Sequence, residues 1–204
     1  MRSYIDDSMT GARKDYVVTG GPCTGKTAII NALRKDGFII VPEAARIVKR
    51  RNKIFGRPLP EENFEAFEED VLDVMARLDV KRPGVVRFHD RAHCDNIAYY
   101  DFNHRPPSPF LMGLVKHYRF DKIFLLSQLG FYRQDKDRPE TKAETALLHN
   151  LIRKAYSSQG YDIIEIPPVP VWERIRIIKD YIKDDLDALG LVWGVCEREL
   201  KALK

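Results

Sequence analysis

Short apolar runs alternate with longer amphipathic stretches along this chain, a pattern that predicts a parallel sheet covered by helices. Residues 16–19 read as a first strand and 26–35 as a first helix, stopped by Gly37 after Asp36. A second strand is expected over 38–41 and a helix over 42–51. A loop should follow over 52–60, where Gly56, Pro58 and Pro60 interrupt any period. From Glu61 onward Phe64, Phe67, Val71, Val74, Met75 and Leu78 recur at three and four residues. That spacing predicts a long helix with one packed face and its acidic face in water.

A third strand is expected over 85–89, although Arg87 interrupts its apolar run, and a helix over 92–102. After a proline-rich stretch, 103–109, come a helix over 110–118, a buried strand over 122–126 and a charged loop over 127–140. The helix over 141–159 should bury Ala143, Ala146, Leu147, Leu151, Ala155 and Tyr156, with Gly160 ending it. A fifth strand over 162–166 and a last core helix over 171–186 complete the pattern. At 204 residues the chain suits one domain. The expected division is an N-terminal extension (1–15), a single domain (16–186) and a helical tail (187–204).

Composition narrows the function classes. Hydrophobic residues at 44% and charged residues at 31% are globular proportions, and no stretch approaches the roughly 18 uncharged apolar residues of a membrane span. The first residues carry Asp6, Asp7 and Arg13 and lack the apolar centre of a secretory signal. Cys23, Cys94 and Cys196 are far apart with no CxxC spacing, which argues against a disulfide framework or zinc ribbon and for a reducing, cytoplasmic setting. A net charge of +4 is too small to imply nucleic acid by itself, and anionic small molecules stay open.

The strongest chemical signal is Gly20, Gly21, Pro22, Cys23, Thr24, Gly25, Lys26, Thr27, a full match to G-x-x-x-x-G-K-[ST] between a strand and a helix. Glycines there let backbone N–H groups curl around a phosphate at a helix N-terminus. Lys26 should neutralise the β and γ oxygens, and the Thr27 hydroxyl should face Mg²⁺. Asp90 and Arg91 follow the third strand. The carboxylate suits a metal ion or its water, with an N-cap as the alternative, and the guanidinium suits bidentate contact with a phosphate. Glu43 and Arg46, after the second strand, should face the same crevice as Lys26, because ligands of open α/β sheets bind at the carboxyl ends of strands. Glu43 either takes the proton of an attacking hydroxyl or complements a helix dipole. Arg133 and Arg138 lie in a charged loop that either closes over a transferring phosphoryl group or stays solvated. His89, His93 and Cys94 are close in sequence but span a strand and a helix, so no metal face is implied. Lys49, Arg50, Arg51, Lys53 and Arg57 form a basic cluster, read as a solvated face with anionic membrane or RNA contact as the lesser alternative.

The segments VVTGGPCTGKT (17–27), VPEAAR (41–46), Asp90-Arg91 with IAYY (97–100), YRQDKDRPET (132–141) and GYDIIEIP (160–167), taken in order, resemble the small AAA-domain family of P-loop ATPase/kinase-like proteins. Nucleoside and nucleotide kinases are their relatives. The resemblance implies an α/β three-layer P-loop NTPase with a five-stranded, mostly parallel sheet flanked by helices, nucleotide-kinase-like in its arrangement. It also implies ATP (or GTP) with Mg²⁺ as cofactors, a metal and substrate role for Asp90 and Arg91, and a base role for Glu43. Ala92, His93 and Cys94 stand where the family more often has Gly and Pro, and with Arg87 they are expected beside the substrate pocket. Two functions fit. One is transfer of the γ-phosphoryl of ATP to a small acceptor such as a nucleoside, nucleotide or related metabolite. The other is a regulatory switch that hydrolyses ATP or GTP slowly and docks a partner or anionic membrane through the basic cluster. A guanine-binding NKxD motif is absent, which disfavours a Ras-type switch.

Overall fold

The computed structural model describes residues 13–78, 85–130 and 141–190. Five strands, β1 (Lys14–Thr19), β2 (Ile39–Val41), β3 (Val86–Asp90), β4 (Lys122–Leu126) and β5 (Ile163–Ile166), form one sheet in the order β2-β3-β1-β4-β5. Every pairing is parallel. Parallel strands need crossovers, supplied by α1 (Lys26–Lys35), α2 (Ala44–Phe55), α3 (Phe64–Leu78), α4 (His93–Phe102), α5 (Pro109–His117), α6 (Lys142–Ser158) and α7 (Val171–Ala188).

The central strand separates two cores. Val17 of β1, Ile123 and Leu125 of β4 point to one face, where they meet Cys94, Leu111, Leu148, Ile152 and Tyr156 from α4, α5 and α6. Tyr16 and Val18 point to the other, with Ile29 and Leu33 of α1 and Ile178 and Ile182 of α7. This period-two alternation gives each sheet face its own helical layer. A smaller cluster of Ala44, Val48, Phe67 and Val71 ties α2 to α3 outside the sheet edge.

Several boundaries differ from the sequence pattern. β1 starts at Lys14, two residues before the expected strand: Lys14 N–H donates to Val85 O at 3.1 Å, and Lys14 sits opposite Val86. The charged residue Asp15 can enter the sheet because Arg87 Nε and His89 Nε2 lie 2.7 and 3.0 Å from its Oδ1. Burial raises the Asp15 pKa, but those two partners outweigh it and hold the carboxyl at about 2. Arg87 is thereby a partner of β1, and it does not line the cavity described below. α2 continues through Arg51 and Asn52 to Phe55, and Gly56 ends it in a left-handed conformation at φ 62°. Its basic run reads as an end by composition, yet Arg51 and Asn52 are held against Asp70 of α3.

On α6 the buried stripe is Thr145, Leu148, His149, Ile152, Ala155 and Tyr156, rotated from the expected one, and Leu147 is 49% exposed. Two polar residues, Thr145 and His149, face the P-loop and so displace alanines as core positions. Thr141 caps α6 in a reciprocal pair with Glu144. The acidic face of α3 is not wholly solvated either: Glu68 is buried at 4% exposure. Among the described residues no helix is long and apolar enough to cross a membrane.

Candidate active site

The loop between β1 and α1 is built so tightly that its glycines have no alternatives. Gly20 leaves the strand at φ 141°, and a Cβ there would stand 2.8 Å from Leu126 O. Gly21 presses on α6, where a Cβ would meet His149 Cβ at 3.0 Å, and its N–H donates to His149 Nδ1 at 3.3 Å. That bond needs an unprotonated Nδ1, and burial lowers the pKa of His149. Pro22 and Cys23 form the turn, and the Thr24 hydroxyl donates to Gly21 O at 3.0 Å across it. Gly25 is the N-cap of α1 at φ 83°, with no side chain capping the helix. The first N–H groups of α1 and the positive end of its dipole are thus available to an anion.

Lys26 folds back over this loop, its Nζ donating to Gly20 O at 2.8 Å and Gly21 O at 3.1 Å. Burial, and then the charge of Arg91, push its ammonium down to about 7. A bound polyphosphate would stabilise the protonated form and raise that pKa. Binding near pH 8 is therefore expected to take up a fraction of a proton, and affinity should fall as pH rises through 7 to 9. Calorimetry of nucleotide binding in buffers of different ionisation enthalpy measures this uptake, and the same enthalpy in every buffer would contradict it.

Asp90 is the last residue of β3, and α4 begins at His93, so Asp90 does not cap that helix. Its Oδ1 is buried with no hydrogen-bond partner among the described residues, and burial, reinforced by Glu43, raises its pKa. Arg91 adopts φ 70°, a left-handed backbone that costs a non-glycine residue on the order of 1 kcal/mol. This turn lets its N–H extend the sheet to Val18 O at 3.2 Å. Its guanidinium spans Glu43 Oε1 at 3.2 Å and Asp95 Oδ1 at 3.0 Å, and lies 5.5 Å from the centre of the Tyr99 ring. Glu43 occupies the N-cap position of α2, but its side chain does not accept from the helix. It instead pairs with Arg91 and, through Oε2, with the exposed Arg46 at 3.1 Å.

Three residues that anchor this arrangement belong to no local motif. Asp95 is buried and accepts from Thr19 Oγ1 (2.5 Å), Tyr156 OH (2.6 Å), Ala92 N (3.0 Å) and Arg91 NH1. Its spacing of four from Arg91 is the one signal the sequence carries for it. His149 and Arg174 reach the phosphate loop from α6 and α7, far along the chain, and no local pattern marks them. His89 Nε2 lies on Asp15, and the His93 ring stacks on Tyr118 with centroids 5.0 Å apart.

A cavity of about 990 Å³ opens from Thr27, Glu43, Asp90 and Arg91 toward an apolar wall of Phe64, Phe67, Val71 and Met75. Set into it, Glu68 Oε2 accepts from Asn96 Nδ2 at 2.7 Å, and burial pushes the Glu68 carboxyl up to about 7 despite that bond. Arg133 and Arg138 belong to 131–140, outside the described residues. Mg²⁺ fits the donors present: a hydroxyl at the start of α1 and an orphaned buried carboxylate oxygen at the end of β3. Among the described residues no group of three or more His, Cys, Asp or Glu could hold a metal.

Fold and loop together define a P-loop α/β protein. The AAA domain family model matches residues 15–174, and the chain belongs to that family. No curated protein matches it in sequence. Among solved structures it is similar to NadR protein in complex with NR, at 14% identity and TM-score 0.63, covering 84% of this chain and 50% of that one. A second NadR structure, with NAD and AMP-PNP, gives 16% and 0.60 over 83% of this chain and 49% of that one. Deoxyadenosine kinase from M. mycoides, with products dCMP and a flexible dCDP bound, gives 15% and 0.54 over 83% of this chain and 98% of that one. The chain spans about half the length of the NadR structures it matches.

Proposed function

We propose that this chain is a Mg²⁺-dependent phosphotransferase that moves the γ-phosphoryl of ATP, with GTP as the other candidate donor, to a hydroxyl or phosphate oxygen of a small acceptor. A nucleoside, nucleotide or related metabolite is the acceptor class. The observation that carries the reading is the cavity that joins the end of the phosphate loop to Glu43 and Arg91 and continues into an apolar chamber. A chain that only held a nucleotide would have no use for the apolar extension of this cavity, which at about 990 Å³ in all lies within the range of small-molecule sites.

In this reading the loop N–H groups, the α1 N-terminus and Lys26 hold the triphosphate. Thr27 and Asp90 would hold Mg²⁺, which when bound offsets negative charge on the phosphates. Glu43, aligned by Arg91 and Arg46, accepts the proton of an acceptor hydroxyl as the new O–P bond forms. The bond between the γ-phosphorus and the β–γ bridging oxygen breaks in line, and the nucleoside diphosphate leaves with that electron pair. Arg91 stands where it can meet the transferring group, and Arg133 and Arg138 are proposed to close on it and exclude water. Glu68 and Asn96 offer the acceptor a hydrogen-bonding edge in an apolar wall.

The alternative switch reading draws on the basic cluster, but Lys49, Arg51 and Arg57 are spent on Glu61 and Asp70. Arg50 and Lys53, with Lys49, line the cavity, where they favour an anionic substrate. Glu43→Gln separates the two readings. Loss of the base should lower acceptor phosphorylation by about 10² to 10⁴ fold while nucleotide affinity stays near wild type. Turnover of ATP and acceptor, followed beside calorimetric ATP affinity, tests this. Undiminished turnover in Glu43→Gln would remove Glu43 from the chemistry.

A further inference from the structure

Arg174, in the first turn of α7, is 2% exposed, the largest of the fully buried side chains among the described residues. Its NH1 donates to Thr24 O at 2.7 Å and its NH2 reaches Ser127 O at 3.5 Å, so its contacts are backbone carbonyls of the phosphate loop and of the segment after β4. Nε has no hydrogen-bond partner among the described residues. No carboxylate there pairs with it either, and burial alone lowers its pKa. A buried guanidinium without a counter-charge is costly in a folded chain.

Its position offers a reason to keep it. The peptide between Thr24 and Gly25 is trans and planar, so the Gly25 N–H points opposite to the Thr24 carbonyl. Arg174, by fixing that carbonyl, turns the Gly25 N–H to the side of the peptide opposite itself. Gly25 is held at φ 83°, and a Cβ on it would stand only 3.6 Å from Arg174 NH1. The cation therefore sits directly behind the peptide that begins α1.

We infer that Arg174 is a positioning residue for nucleotide binding: it holds the Thr24–Gly25 peptide with its N–H facing the phosphates, and their negative charge is the counter-charge that its buried guanidinium otherwise lacks. This rests on the phosphate-loop part of the proposed function and adds to it a residue that reaches the loop from the far end of the fold. It separates Arg174 from an ordinary strut. A strut stabilises the unliganded fold, whereas an uncompensated charge burdens it and is relieved only when the anion arrives.

The test uses the full chain with Arg174→Met and Arg174→Lys, and inorganic tripolyphosphate and MgATP as probes, so that base preference does not enter. Calorimetry gives affinity, and thermal unfolding gives the Tm with and without each probe. Arg174→Met is expected to keep or raise the unliganded Tm while losing about tenfold or more in affinity for both probes, the scale of one charge at partly screened distance. Arg174→Lys, which keeps charge but not the two-carbonyl geometry, should fall between. Wild-type affinity in Arg174→Met overturns the inference. So does a large fall in unliganded Tm, or failure of Arg174→Met to fold, because either makes Arg174 a structural strut. If the wild-type chain itself binds neither probe, the phosphate-loop reading fails first.

Discussion

Lys26→Ala is expected to reduce nucleotide turnover by about 10³ fold or more and to weaken triphosphate binding, while the fold stays intact. Lys26 is the first residue of α1, and its ammonium bonds only to Gly20 O and Gly21 O of its own loop among the described residues. Those carbonyls can turn to water once it is gone, so little stability depends on it. The transferring phosphoryl group, by contrast, would lose the cation nearest its oxygens in a site from which water is displaced. Removal also eliminates the group that burial has pushed down to about 7, so the proton uptake on binding near pH 8 should vanish with it. Turnover, calorimetric affinity and Tm on one preparation test the whole pattern. A folded Lys26→Ala with wild-type turnover would remove the loop from the chemistry.

Asp95→Ala should have the largest effect on stability. Asp95 takes four donors at once: a β1 hydroxyl, a tyrosine from α6, the backbone at the start of α4 and the Arg91 guanidinium. Deleting it leaves the buried Tyr156 and Thr19 hydroxyls without their acceptor and Arg91 with Glu43 as its remaining ion-pair partner. Breaking a buried pair in this way costs about 3 to 5 kcal/mol, or a fall in Tm of roughly 6 to 20 °C for a domain of this size. Activity should fall in the same variant, because the Arg91 guanidinium then loses one of its two carboxylate partners. Asp95→Asn retains an acceptor for two of these donors and should cost less. A Tm within about 2 °C of wild type in Asp95→Ala would show that the four-way junction contributes little.

Contiguous features are legible in the amino-acid sequence. The phosphate loop, the pair Asp90 and Arg91, and Glu43 with Arg46 announce themselves because glycine, charge and apolar runs fall side by side, and the sheet follows from the same pattern. Long-range features are not legible in this way. Arg174 reaches Thr24 across 150 residues, and His149 reaches Gly21 across 128, so neither has a local signature. Glu68 looks like one more solvated acid on an amphipathic helix, since only the approach of Asn96 makes its burial tolerable. α2 is misjudged because its basic run resembles an ending, although Asp70 of the neighbouring helix neutralises it. In each case periodicity records which face is apolar, but not which polar residues find partners from elsewhere in the chain.

The central claim is that the cavity beside the phosphate loop holds a phosphoryl acceptor. It is tested most directly by incubating the chain with ATP labelled at the γ-phosphate, Mg²⁺ and a panel of nucleosides, nucleotides and related metabolites, and following the label by mass spectrometry. The account predicts that the label appears on one acceptor class and that this product disappears with Glu43→Gln. ATP consumed with the label recovered only as inorganic phosphate, whatever acceptor is present, would contradict it and favour the switch.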